Sequence, residues 1–326
     1  MRPALSVILL TTLLGAGQGL FLAAFAHQAL SLFGVLAAEG AGGLYGSAAV
    51  ASLALLAAGL VASFFHLGRP ERAWRSAAMW RTSWLSREVI VLPAFMGTVF
   101  LYAAAHLTGV NPVLVRFAGG AAVDASAALG AAGAILALAL FVCTGMIYAC
   151  LKFLREWHSP LTVANYILLG TASGFTAAAA LAAWRAPGAT AFFAGGALAF
   201  TLLGAASRGA SLVRNARLRP VSTTQTAIGV RHPVIRQITQ GYTAGSYNTR
   251  EFFHGQAKAL VRRVKWIFLA FAFALPAALV AAHFAGGPPG LLAAALATQM
   301  AGLMAERWFF FAEANHPQNL YYQAVA

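Results

Sequence analysis

Between His66 and Glu88 the sequence reads HLGRPERAWRSAAMWRTSWLSRE, and its residue types can do proton chemistry. An imidazole opens the stretch and a carboxylate closes it. Five arginines (69, 72, 75, 81 and 87) and three tryptophans (74, 80 and 84) lie between them. Histidine titrates near neutral pH, and a carboxylate can pass a proton on to water. Together they suit a quinone, whose ring and isoprenoid tail enter from lipid while its oxygens exchange protons with protein groups. Arg69 and Arg72 could polarise a quinone oxygen or orient Glu88. The same residues also admit a plain structural use, with His66 capping a helix end and Glu88 pairing with nearby arginines.

The elements that must hold this stretch are apolar. The chain has 326 residues, 60% of them hydrophobic and 9% charged, with mean hydropathy +0.73. A soluble domain carries roughly a quarter charged residues, so lipid is the natural solvent. A bilayer core of about 30 Å needs about 20 apolar residues per helix. Such runs predict spans over 4–26, 44–66, 89–108, 127–151, 162–184, 189–206, 266–285 and 290–312. The expected fold is an all-α integral membrane protein of eight transmembrane helices, one membrane domain covering 1–326, with a basic loop at 207–265. The first run ends on Ala24-Phe25-Ala26 and also resembles a signal peptide, but it is long for one and is taken as a retained helix. Short loops make sequential helices antiparallel neighbours.

Charge gives the frame an orientation. Of 22 lysines and arginines, Arg116 and Arg185 alone fall on one face. Arg2, five in 67–88, two in 152–161, eleven in 207–265 and Arg307 fall on the other. The positive-inside rule places the rich face and both termini in the cytoplasm. A formal charge of +14 is then a topological signal, and no nucleic-acid partner is expected. The long loop, with eleven basic residues against Glu251 and with Tyr242, Tyr247, Phe252 and Phe253, is suited to anionic lipid or an acidic protein face. Arg231, Arg236 and Arg250 are its candidate docking residues.

Other polar residues hold less. Cys143 and Cys150 lie about 10 Å apart along one helix, too far for a disulfide, and no cysteine cluster is present for an iron–sulfur centre in this chain. His27, His106 and His283 fall toward the outer ends of helices, without the facing pair deep in the spans that a haem needs. Glu306-Arg307 lies in the last turns of the final span. Ionisable residues at membrane depth mark function by default, although two adjacent ones near a helix end can screen each other. A transporter would place helix breaks and charges at the midplane, and here they sit at helix ends. A structural anchor without a quinone site is the remaining alternative.

HLGRPERAWR followed by SWLSRE resembles the membrane-anchor subunits of the dimethyl sulfoxide reductase family of molybdopterin and iron–sulfur enzymes. The resemblance covers essentially the whole chain. Leu154-Arg155-Glu156-Trp157, the segment from Asn248 to Gly255 and ERWFFFAEANHPQNLYY look like a cytoplasmic, sulfite-oxidising branch. The resemblance implies a multi-pass subunit of the bacterial inner membrane, with an iron–sulfur electron-transfer subunit and a molybdopterin catalytic subunit as partners. It also implies a haem-free site for menaquinone or ubiquinone at His66, Gly68, Arg72 and Glu88. Arg69, Glu306 and Arg307 are possible supports. No metal is expected in this chain. The cytoplasmic orientation favours sulfite oxidation with quinone reduction over sulfoxide reduction with menaquinol oxidation.

Overall fold

A computed structural model describes residues 1–37, 42–116, 122–220, 222–239 and 251–322. Long helices dominate it: α1 (Leu5–Leu32), α2 (Gly42–Phe64), α3 (Trp84–Thr108), α4 (Ala125–Ala149), α5 (Pro160–Arg185) and α6 (Thr190–Ala216). A short α7 (Thr224–Ile228) precedes α8 (Lys258–Phe284), α9 (Gly290–Glu313) and a terminal turn α10 (Asn319–Tyr322). Among the described residues seven of these helices, α1 to α6 and α8, are long and apolar enough to cross a membrane. The eighth, α9, is long enough at 24 residues. Gln299, Glu306, Arg307 and Glu313 make it markedly less apolar.

The helices run further than the apolar runs that announce them. α1 continues six residues past Ala26, and α6 carries ten beyond residue 206, so Arg208 and Arg214 belong to a helix and not to the long loop. Lys258, Arg262, Arg263 and Lys265 likewise lie on the first turns of α8. One small sheet qualifies the all-α expectation. Strands β1 (Val113–Arg116) and β2 (Ala122–Asp124) pair antiparallel between α3 and α4.

Caps define several helix starts. Ser83, Asp124 and Ser159 each accept a backbone N–H from the first turn of α3, α4 and α5, satisfying donors that a helix start leaves free. Pro160 follows Ser159 at the first helical position, where its missing N–H costs nothing.

α1 sits at the centre, packed on α2, α4, α5 and α9. Its approach to α5 is possible only through glycine. A Cβ on Gly19 or Gly174 would collide with the backbone of the facing helix, as in other close membrane crossings. Phe21, Phe95, Tyr102 and Phe193 fill the core around it. Residues 1–26 supply most of this centre.

α8 has a π-helical turn at Ala270–Ala274. Pro276 has no N–H for the Ala272 carbonyl four residues earlier. Gln299 of α9 reaches across instead, with its amide Nε2 3.4 Å from that carbonyl and 3.0 Å from Thr201 Oγ1. Gly302 lets the widened turn approach, since a Cβ there would strike the Ala272 backbone.

Candidate functional site

The connector from Phe65 to Ser83 is a polar, exposed cap over the ends of α2 and α3. Most of it is a 3-10 stretch, Pro70–Met79, opened by a proline. Its cations lie against its aromatic rings: Arg75 on Trp74, Arg81 on Trp80, and Arg87 on Trp84 at 4.2 Å. Arg87 also donates to the carbonyls of Trp80 and Arg81, at 2.9 and 2.8 Å. These contacts give Arg75, Arg81 and Arg87 structural partners.

His66, Gly68, Arg69 and Arg72 are all exposed on this cap. A Cβ on Gly68 would meet nothing, so its backbone is open to whatever lies against the cap. Arg72 makes a 3.8 Å ion pair with Glu71. Although much of the His66 surface is open, the protein packed around it still lowers the imidazole below its ordinary pKa by desolvation. That favours the neutral ring, which can donate from one nitrogen and accept at the other. Large apolar side chains of the same cap stand exposed, with Phe65 83% and Trp74 71% exposed.

Glu88 differs from the other three. It is buried, one turn into α3, and its carboxylate accepts a hydrogen bond from Thr144 of α4. Among the described residues it has no ion pair, so the pairing of Glu88 with the connector arginines is not what the fold contains. α2 and α3 pack together. His66 and Glu88 lie at the same end of that pair, the histidine on the rim and the carboxylate beneath it.

Glu306 and Arg307 belong to a buried charged group whose centre the sequence does not disclose. Arg208 of α6, 2% exposed, pairs with Glu306 at 2.7 Å and with Glu313 at 3.7 Å. Arg307 pairs with Glu306 at 3.4 Å and lies 3.8 Å above the Tyr166 ring of α5. Two cations face two anions, as buried charges require. By its sequence Arg208 falls in the basic loop, because the apolar run stops at residue 206. The signal that recovers it is the small-residue stripe Ala197, Thr201, Gly204, Arg208 and Ser211, which keeps helical spacing through the arginine and is buried throughout.

The Leu154–Trp157 segment is a joint at the same end. Leu154 and Trp157 are buried, and Trp157 Nε1 donates to the Phe310 carbonyl at 2.9 Å. Arg214 donates to the Arg155 and His158 carbonyls, and Arg155 to that of Arg219, all at 3.0 Å. His316 of the tail stacks on Phe252. Arg231 and Arg236 are described within the loop, with Arg231 exposed; Arg250, Tyr242 and Tyr247 lie outside the described residues.

At the opposite end the buried polar groups are mostly neutral. His27 and Tyr45 share a hydrogen bond of 2.8 Å, and His27 stacks on Phe193. Tyr102 donates to Gln28 at 2.6 Å, and Gln28 donates to Ser126 at 2.7 Å. His106 lies against Tyr45 and Tyr102. His27 thus has a tyrosine partner.

The fold and this distribution define a helical, multi-pass membrane protein with a charged, aromatic-edged end suited to meet another protein. The family model for the DMSO reductase anchor subunit (DmsC) matches residues 1–312. A sulfite dehydrogenase subunit from Allochromatium vinosum is 54% identical over 326 residues, covering 100% of both chains. The chain belongs to the DMSO reductase anchor subunit family: it is a membrane anchor subunit of the molybdoenzyme class.

Proposed function

We propose that the chain is the quinone-reactive anchor of a sulfite-oxidising complex in the bacterial inner membrane. The observation that carries this is the unbroken 54% identity to a subunit named for sulfite dehydrogenase. A molybdopterin catalytic subunit and an iron–sulfur subunit would sit on the end that carries the connector, the 150–159 joint and the 217–257 loop. The cation distribution supports a cytoplasmic position for that end, with eight spans and both termini inside. α9 completes the eight because it packs along α8 and its polar residues face inward, where Arg208 and Thr201 meet them.

A quinone accepts two electrons and two protons on reduction. His66, Gly68, Arg72 and Glu88 fit it by the character of their setting. An exposed neutral imidazole, an open glycine backbone and an exposed guanidinium stand among exposed aromatic side chains. A shielded carboxyl group lies at the same helix ends. His66 donates a hydrogen bond and passes its N–H proton to the oxygen as its other nitrogen takes one from water, Arg72 stabilises negative charge on oxygen, and Glu88 in its protonated form supplies a second proton through its Thr144-bound carboxyl. Gly68 lets the ring approach. Arg231 and Arg236 meet acidic groups of the partner. Protons are taken up on the side where substrate oxidation releases them, so turnover is nearly electroneutral.

The test is quinone reduction by the purified complex with sulfite as donor. Replacing His66 by Leu is expected to abolish it while leaving sulfite-dependent reduction of a soluble dye and assembly intact. Lost assembly with normal residual quinone coupling would instead make the chain a plain anchor. The family description favours one rival, a sulfoxide reductase anchor fed by menaquinol. Activity only with sulfoxide and quinol would establish that rival, and a membrane potential generated by turnover in proteoliposomes would refute electroneutrality.

A further inference from the structure

Glu88, Thr144, Tyr166, Arg208, Glu306 and Arg307 share one depth. Glu88 and Tyr166 are one to two turns into α3 and α5, whereas Thr144, Arg208, Glu306 and Arg307 are one to two turns before the ends of α4, α6 and α9. Successive helices alternate direction, so all six form a buried polar layer beneath the charged end. We propose that this layer is a proton route, built of side chains and single water molecules, that runs from the Glu156–Arg214 surface to Glu88. It rests on the assignment of Glu88 as a proton donor to quinone.

Two small cavities lie along the layer. The inner one is lined by Thr144, the donor to Glu88, together with Thr11, Thr12, Gln18, Tyr166 and Arg307. The outer one is lined by Arg307, Glu306, Arg208 and Asn165, and reaches Glu156, Arg214 and Asn215, which are partly exposed. Arg307 borders both. Each offers about 10 Å³ to the centre of a water-sized sphere, roughly the space of one water molecule.

The linings are those of a hydrated site. Thr12 Oγ1 and Gln18 Oε1 border the inner cavity, fully buried and without a protein partner; Asn165 Oδ1 does so at the outer one. Buried polar atoms are otherwise almost always paired, and a water needs two to four such partners. An apolar or close-packed junction would leave neither the atoms nor the room. Arg307 alone would repel a passing proton. Its pairing with Glu306, and the balance of Arg208 against Glu306 and Glu313, cancel that charge.

The chemistry is proton hopping with no net change in the path. Each proton that Glu88 gives up is replaced through the Thr144 hydroxyl from the inner water. That water is recharged past Tyr166 and Glu306 from the outer water and finally from bulk at Glu156. Electrons take no part in these steps and come from the partner's iron–sulfur clusters.

Two readouts test the route on the whole complex. Infrared absorption of the quinone-free complex identifies the Glu88 carboxyl band by its loss in Glu88→Gln, and transfer to deuterated buffer times its exchange. Thr144→Val is expected to slow that exchange at least tenfold, and Tyr166→Phe to slow it by a smaller factor. In turnover with sulfite and a soluble ubiquinone analogue, Thr144→Val is expected to lower kcat about tenfold with KM for quinone unchanged, and formate, a small proton carrier, should restore the rate. Exchange at the wild-type rate in both variants overturns the route, as does a slowed turnover that formate does not restore. The infrared readout needs no electron donor and decides the route whatever the donor is. Wild-type quinone reduction by Glu88→Gln would instead overturn the quinone site itself.

Discussion

The two ends of the helix bundle solve the same problem with different chemistry. Both bury polar side chains between helices. The end near His27 uses mainly neutral partners: Tyr45 pairs with His27, and Tyr102, Gln28 and Ser126 form a chain that ends on one carboxylate, Asp124. The end near Glu306 uses two full cations and two full anions, several of them 1–5% exposed. Neutral hydrogen bonds contribute about 0.5–1.5 kcal/mol each and lock helices together. Buried ions must overcome a desolvation cost of several kcal/mol each, which closure of a bundle alone does not require. The neutral end therefore reads as structure. The charged end carries a cost that function has to justify.

Removing one ion should expose that contrast most. Arg208→Met leaves buried Glu306 and half-buried Glu313 beside an insufficient positive charge, and is expected to destabilise by about 3–5 kcal/mol. Thermal unfolding of the complex in detergent measures it. Adding Glu306→Leu should recover part of the loss; a single variant no worse than a surface substitution would break the comparison. Next comes the neutral end. Gln28→Leu strands the Tyr102 hydroxyl, while Ser126 keeps Asn111 and Asp124, and is expected to cost about 1–3 kcal/mol with quinone reduction unchanged. A turnover defect there would mean that both ends serve the chemistry. Tyr45→Phe removes one hydrogen bond to His27 and should cost about 1 kcal/mol, again without a kinetic effect. The smallest effect belongs to the connector. Glu71→Gln breaks an exposed 3.8 Å pair, for which at most about 1 kcal/mol is expected. Unfolding of that variant indistinguishable from wild type would confirm that the cap is held by arginine stacking and carbonyl contacts.

Long apolar runs made the helices legible, and the charge-poor connector at 286–289 separated α8 from α9. Helix ends were not legible, because polar residues such as Arg208 continue a helix when partners inside the bundle receive them. His66, Gly68 and Arg72 were found by a motif, and their exposure fits a surface that meets a ligand or a partner. Thr144 carried no signal. A lone threonine in a membrane helix usually bonds its own backbone, and only the packing of α3 on α4 turns it toward Glu88. Pairing of Glu88 with arginine, natural in sequence, fails because the connector holds its arginines outside while the carboxylate turns inward.

The glycine crossing of α1 and α5 also has a consequence for biogenesis. α1 is made well before the helix it must touch most closely, with 155 positions separating Gly19 from Gly174. At roughly 5–20 residues per second of synthesis, α1 waits roughly 8–30 s for that contact. During the wait α2 covers part of it and lipid covers the rest. Thr11, Thr12 and Gln18, destined for a polar layer, spend that interval without it. The close crossing at the centre of the bundle is thus completed well after α1 is made, and a delay in α5 would leave the most polar face of α1 open to other membrane partners.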